Sequence, residues 1–199
     1  MRPERVDSFW KWFVEQQAAL AVDQVEAGLL EDLDERVRDL GDFDWEIGPG
    51  KKQRCFLALS PRGDREGLAH TREVMSRAPS VAGWEFYAAK PPRDWSLVFT
   101  MERRGEELSI DATAWEFVAY LFKDGTFDVL LKPPATPLLS EEEAQCAAIV
   151  IVDGELGEAT RLELVGSIEV VKEWDAKARA AARKLEVGLL ARALGAERH

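Results

Sequence analysis

Carboxylates are the most plentiful reactive groups in this sequence, and their densest constellation is VDGELGE, residues 152–158, where Asp153, Glu155 and Glu158 gather in a segment interrupted by Gly154 and Gly157. Hard divalent cations take oxygen ligands, so this group could hold Mg²⁺ or Ca²⁺ and support metal-assisted hydrolysis, although its spacing is not that of an EF-hand loop. The competing reading is a helix C-terminus at which both glycines adopt left-handed backbone and the acids are solvated. Asp111 and Glu116, flanking Ala-Thr-Ala-Trp, form a second candidate pair of hydrolytic acids, against the alternative of rim residues at strand ends.

Other chemistries lack their residues. The chain has two histidines: His199 ends the sequence, and His70 falls on the expected solvent side of a short helix, so neither is placed as a general base. His and Cys are too few and too scattered for a zinc site, and no Gly-x-Ser-x-Gly turn or Ser-x-x-Lys pair is present. Gly48-Pro-Gly50-Lys51 lacks the spacing of a phosphate-binding loop and precedes a strand, so its backbone N–H groups are not expected to converge on an anion. No motif calls for a cofactor. The two cysteines, Cys55 and Cys146, each sit among apolar neighbours and read as buried free thiols of a reducing compartment.

Binding is the alternative to catalysis, and GWEFYAAKPPRDW, residues 83–95, is rich in the residue types that dominate interfaces. Strand alternation places Trp84 and Phe86 on one face, toward a core, and Glu85 and Tyr87 on the other. Tyr87, Lys90, Arg93 and Trp95 could then form an aromatic and cationic patch, and Trp84, Tyr87 and Lys90 a small-ligand module. A second candidate surface is the acidic face formed by Glu31, Asp32 and Glu35, together with Asp34 and Asp39. The segments RAPSVAGWEFYAAKPP and VDGELGE resemble the Ala-Pro, Trp-x-Phe, Lys-Pro and Asp-x-x-Leu-Gly-Glu pattern of a group of uncharacterised bacterial proteins. The resemblance covers those two motifs, implies a bacterial, intracellular α+β protein and brings no activity with it.

These residues must be positioned by the elements around them. From Val6 to Leu40 apolar residues recur three or four apart, which predicts two helices or one bent helix over about residues 5–40 ending at Gly41, with Asp23 as a possible cap for the second. FDWEIG and QRCFLALSP read as strands around a Pro-Gly turn, Asp64 to Arg77 as a helix with Leu68 and Met75 inward, and WEFYAAK, SLVFTMER and ELSIDAT as strands. Within WEFVAYLFKDGTFDVLLKP, Asp124-Gly125 predicts a two-residue hairpin loop in which Phe122 faces Phe127, Tyr120 faces Val129 and Val118 faces Leu131. The first strand of that hairpin is apolar on both faces, so it should lie centrally with helices over part of each. Ser140-Glu-Glu-Glu143 matches a capping box that starts a helix at Glu141. RLELVGSIEVV alternates as a strand that must join the earlier sheet or another chain, and Trp174 to Leu194 reads as an Ala-rich helix. No internal repeat is visible.

The whole predicts a single α+β domain over residues 1–199: amino-terminal helices (5–40), a largely antiparallel sheet region (43–132) and a helix-strand-helix tail (138–197) whose last helix packs on the sheet. With 46% hydrophobic and 32% charged residues the chain can bury a core unaided. Its net charge of −11 argues against nucleic acid and anionic membranes as partners. Acidic residues outnumber basic ones through residue 46, and the reverse holds over residues 172–199. The opening segment lacks the basic-apolar-small order of a signal peptide, which predicts a cytoplasmic location. The expectation is a non-enzymatic binding protein of regulatory or immunity type whose acidic helix meets a basic protein.

Overall fold

Residues 2–195 are described in a computed structural model. By its internal contacts the chain divides between Lys90 and Pro91 into two compact units, and each has its own core. The architecture is α+β, and most of the strand pairings are antiparallel.

The first unit starts with two helices, α1 (Pro3–Leu20) and α2 (Ala27–Leu40). Proline opens α1, where its missing N–H costs nothing. Val6, Phe9, Trp10 and Phe13 fall on one buried side of α1, and Leu33, Val37 and Leu40 on one buried side of α2. The interrupted stripe around Asp23 is a real break between the helices. Asp23 does not cap the second one; Glu26 precedes it and makes no side-chain cap bond. Strands β1 (Asp44–Pro49) and β2 (Cys55–Ser60) pair antiparallel. Helix α3 (Arg65–Ser76) then carries the chain back so that β3 (Trp84–Tyr87) joins β2 in parallel. Asp64 caps α3 by accepting from the backbone N–H groups of Glu66 at 3.1 Å and Gly67 at 2.9 Å. Aromatic rings close the core: Trp10 meets Phe86 edge to face at 4.8 Å, and Phe13 meets Trp84 at 4.9 Å.

The second unit holds a two-stranded hairpin of β4 (Val98–Arg103) and β5 (Glu106–Asp111), then β6 (Glu116–Leu121) and β7 (Phe127–Lys132). The chain continues through α4 (Glu141–Leu156), α5 (Glu158–Leu164) and β8 (Val165–Val170) to α6 (Ala176–Ala181), the two-residue β9 (Arg183–Lys184) and α7 (Leu189–Ala193). The capping box at Ser140 and Glu143 is formed as the sequence predicts, and α4 begins at Glu141. Glu143 also receives both arms of Arg103, at 2.6 and 2.8 Å, and this pairing lowers its carboxyl pKa to about 2. The main sheet runs β8-β7-β6-β9, with β8 parallel to β7. Strand β6 is internal and covered on both faces: Phe117 joins the core under α4, while Val118 packs with Trp174 and Ala178 of the α6 region.

Three expectations are corrected. The β6–β7 register is offset by one residue, with Leu121 opposite Phe127, Ala119 opposite Val129 and Phe117 opposite Leu131. The N–H of Phe122 donates to the carbonyl of Thr126, so the loop has three residues, Lys123 to Gly125, and only Gly125 has positive φ, at 86°. The two-residue loop with both positions left-handed occurs instead at Arg104 and Gly105 of the preceding hairpin, at φ 54° and 84°. The expected helix from Trp174 to Leu194 is broken, because residues 183–184 leave it to pair with β6 and the N–H of Leu185 donates to the carbonyl of Trp115. The thiols are free but not both buried: Cys146 is exposed on α4 and Cys55 is half-buried.

Both units contain the same order of parts, an antiparallel hairpin, a helical crossover and a strand parallel to the hairpin's second strand. No repeat in the sequence announces this, because the likeness lies in pattern and not in residue identity.

Two outcomes are expected. Gly125→Val should lower the unfolding free energy by about 1 kcal/mol or more, because a β-branched residue at positive φ is strained; denaturant titration measures it, and an unchanged midpoint would contradict the loop geometry. A thiol reagent should label Cys146 quickly in the native protein and Cys55 more slowly, which a time course followed by mass spectrometry resolves.

Candidate functional site

The residues of GWEFYAAKPPRDW fall in different units, Trp84, Tyr87 and Lys90 in the first and Arg93 and Trp95 in the second. Trp84 is 5% exposed and belongs to the core. Tyr87 packs edge to face on Phe56 at 5.9 Å, and its phenol pKa is raised by burial and then by the adjacent Glu85 charge. Lys90 is half-buried and engaged. Glu85 does work that the sequence did not reveal. Its carboxylate accepts from the backbone N–H groups of Lys51 and Lys52, so the Gly50-Lys51 loop does gather its amides on an anion, and that anion is the protein's own.

In the second unit the segment Pro91–Trp95 is a strap laid over the junction of α4 and α5. The N–H of Arg93 donates to the carbonyl of Gly154 at 2.8 Å. The Trp95 ring lies directly on Gly154, where a Cβ would come within 2.6 Å of one ring carbon and 2.9 Å of another, and Pro92 lies on Gly157 in the same way, at 2.8 Å. The glycines of VDGELGE therefore form a notch. Gly157 alone has positive φ, at 80°; Gly154 is helical and is needed for the close approach. The strap leads on to Leu97, a fully buried leucine at φ 63° whose carbonyl accepts from the Ala112 N–H. That strained backbone is held by the surrounding core.

The acids of the notch are not solvated. Glu155 has no exposed surface, and its two oxygens accept from the Trp95 indole N–H at 3.3 Å and the Gly188 N–H at 2.6 Å. Glu158 is 3% exposed, and Asp153 pairs with Arg161. Carboxylates that share a cation must aim at one point, whereas Asp153 and Glu155 are directed at different donors. Among the described residues no group of three or more His, Cys, Asp or Glu is arranged to hold a metal ion.

The second acid pair is likewise engaged. Asp111 accepts from the N–H and hydroxyl of Thr113 at 2.9 and 2.6 Å, capping a single 3-10 turn over Ala112–Ala114. Glu116 accepts from Lys132 and from the Trp174 indole, both at 2.8 Å, and these bonds hold its carboxyl below the usual range. His70 is exposed and lines an open groove of about 450 Å³ with Leu40, Phe43, Pro61, Arg62 and Asp64. Its lining comes from separated segments, so no local motif marks it, and the Arg62 guanidinium there is held by Asp42 at 2.8 Å. His199 lies outside the described residues.

The acidic face of α2 divides in two. Asp34 accepts from the Trp45 indole at 3.2 Å and pairs with Arg38 at 2.6 Å, and the Arg36 guanidinium lies 4.7 Å from the centre of the Trp12 ring. Glu31, Asp32 and Glu35 are exposed, and no ion pair among the described residues involves them. They are on the side of the helix away from Leu33, Val37 and Leu40.

A double-mutant cycle tests the notch. Gly154→Ala should cost about 2 kcal/mol in the native protein, since an added carbon there must displace the Trp95 ring. In a Trp95→Ala background the same change should cost much less, a coupling read from urea unfolding; equal costs would mean that the two residues do not meet.

Comparison with family models, with curated proteins and with solved structures returned no match.

Proposed function

We propose that this chain is a non-enzymatic cytoplasmic binding protein, of regulatory or immunity type, that receives a basic protein partner on the outer face of α2. The observation that carries the reading is the separation of roles along one helix: Asp34 is committed to Trp45 and Arg38, while Glu31, Asp32 and Glu35 stand in solvent without ion pairs among the described residues. Nothing in the packing of α2 requires those three carboxylates. An uncompensated acidic face attracts a cationic surface over a Debye length of roughly 8 Å at physiological ionic strength and speeds encounter. The net charge of −11 supports a basic protein over a nucleic acid as the partner. The hydrolase reading has less support, because Asp153 and Glu155 are each taken up by a donor of the fold.

The test is a combined reversal, Glu31→Lys, Asp32→Lys and Glu35→Lys, in the full chain. The melting temperature should change little, because these side chains lie off the buried stripe. Association with a basic protein captured by the wild type should slow at least tenfold, and the remaining binding should lose most of its salt dependence. If the reversal leaves the association rate of that partner unchanged, or lowers only stability and solubility, the acidic face is not the interface.

A further inference from the structure

We infer that the outer edge of β6 is a docking site for an extended segment of a partner protein, one with alternating apolar residues flanked by acidic ones. The hydrogen-bond phase of β6 is fixed at both ends. The Phe122 N–H donates to the Thr126 carbonyl across the hairpin, so Phe122, Tyr120 and Val118 turn their backbone groups toward β7. The Trp115 carbonyl accepts from Leu185 on the other side, so Trp115, Phe117, Ala119 and Leu121 turn theirs outward. Strand β9 covers that outward edge only at Glu116 and Phe117, which leaves the N–H and C=O groups of Ala119 and Leu121 with no strand partner among the described residues. An internal, helix-covered strand thus continues into an open pairing slot, the geometry used when a peptide adds a strand to a sheet edge.

The chemistry of the slot names its occupant. Leu121 is 67% exposed and Phe122 47%, so apolar side chains border the open edge. Cations border it as well. Arg183 lies opposite Phe117 where β9 stops, Lys123 follows Phe122 at the far end, and the Lys177 ammonium sits 5.6 Å from the centre of the Tyr120 ring. All three are exposed and in no ion pair among the described residues, while two acids of the hairpin are in use: Asp124 accepts from the Thr126 N–H and hydroxyl, and Glu116 from Lys132. An extended segment there gains backbone hydrogen bonds at Ala119 and Leu121, apolar contact with Leu121 and Phe122, and charge pairing at its ends.

The probe is a capped octapeptide with a central Val-Thr-Val-Thr and two glutamates at each end, compared with the same peptide carrying lysines in their place. Amide hydrogen exchange on the full-length protein should show Ala119 and Leu121 exchanging at least a hundredfold faster than Val118 and Tyr120. Saturating acidic peptide should slow Ala119 and Leu121 at least tenfold, while the lysine peptide does not. Leu121→Pro removes an outward N–H that the fold does not use and should weaken acidic-peptide binding at least tenfold, whereas Leu121→Thr, which keeps it, should retain most of it. The inference is overturned if millimolar acidic peptide leaves those two amides unprotected, if both peptides protect them equally, or if the amides become protected with protein concentration alone, which would make a second copy the occupant.

Discussion

A strand that joins a sheet parallel to its neighbour cannot be reached by a tight turn; the chain has to travel the length of the sheet and return, and a helix is the economical way to do so while satisfying its own backbone. Both β3 and β8 are such strands. Their existence requires α3 in the first unit and the α4–α5 pair in the second, and each crossover then supplies an apolar face that covers the sheet. Val74 and Leu68 of α3 are buried, and Ala147, Ala148, Ile151 and Val152 of α4 are buried in the core that holds Phe117, Val129 and Leu131. The small residues of α4 let the helix approach the sheet closely, while the larger side chains of β6 and β7 fill the space between.

The second crossover is made of two helices and must bend where they meet, and the features of VDGELGE follow from that bend. Gly157 supplies the left-handed residue at the turn and Gly154 the bare surface on which Trp95 lies. Seating an indole there buries its N–H, which needs an acceptor, and Glu155 provides it. A carboxylate with no exposed surface is costly unless both oxygens are bonded, and the second oxygen takes the Gly188 N–H ahead of α7. One buried acid therefore ties together the strap, the crossover and the carboxy-terminal segment. The same engagement commits each oxygen of Glu155 to a donor of the fold.

How far the sequence could be read depends on the range of the interaction involved. The capping box at Ser140 is complete within four residues and appears where it was expected. The stripes of α1 and α2 and the two apolar faces of β6 are local periodicities, and each is buried accordingly. The hairpin was recognisable from Asp124-Gly125, but its register was not: a two-residue and a three-residue loop both accept that pair, and the choice between them moves every facing partner by one. The carboxy-terminal helix failed for a related reason. Ala-rich sequence carries strong helix propensity, yet residues 183–185 satisfy backbone groups on β6 and Trp115 that would otherwise stay bare, and that distant demand overrides the local preference. The placement of Trp95 on Gly154 joins residues about sixty positions apart and leaves no periodic trace, so the notch could be seen only in the fold.

The outer edges of β8 and β6 in the main sheet are finished differently, and the difference is physical. At β8 the outward carbonyl of Ile168 accepts from the side chain of Gln145 at 2.9 Å, so α4 covers the edge with an amide that mimics a strand partner. At β6 the only strand cover among the described residues is β9, because the chain leaves Ala182 at the end of α6 and reaches Leu185 within three residues, too short a run to line the strand. Extending that cover would require unwinding α6, whose Ala178 packs with Val118 and Trp174 on the sheet face. Helical burial over one face of β6 and full pairing along its edge thus compete for the same residues, and burial prevails. The exposed edge is the cost of covering the face, and it lies where Arg183 and Lys123 make no ion pair among the described residues of a chain that is otherwise strongly acidic.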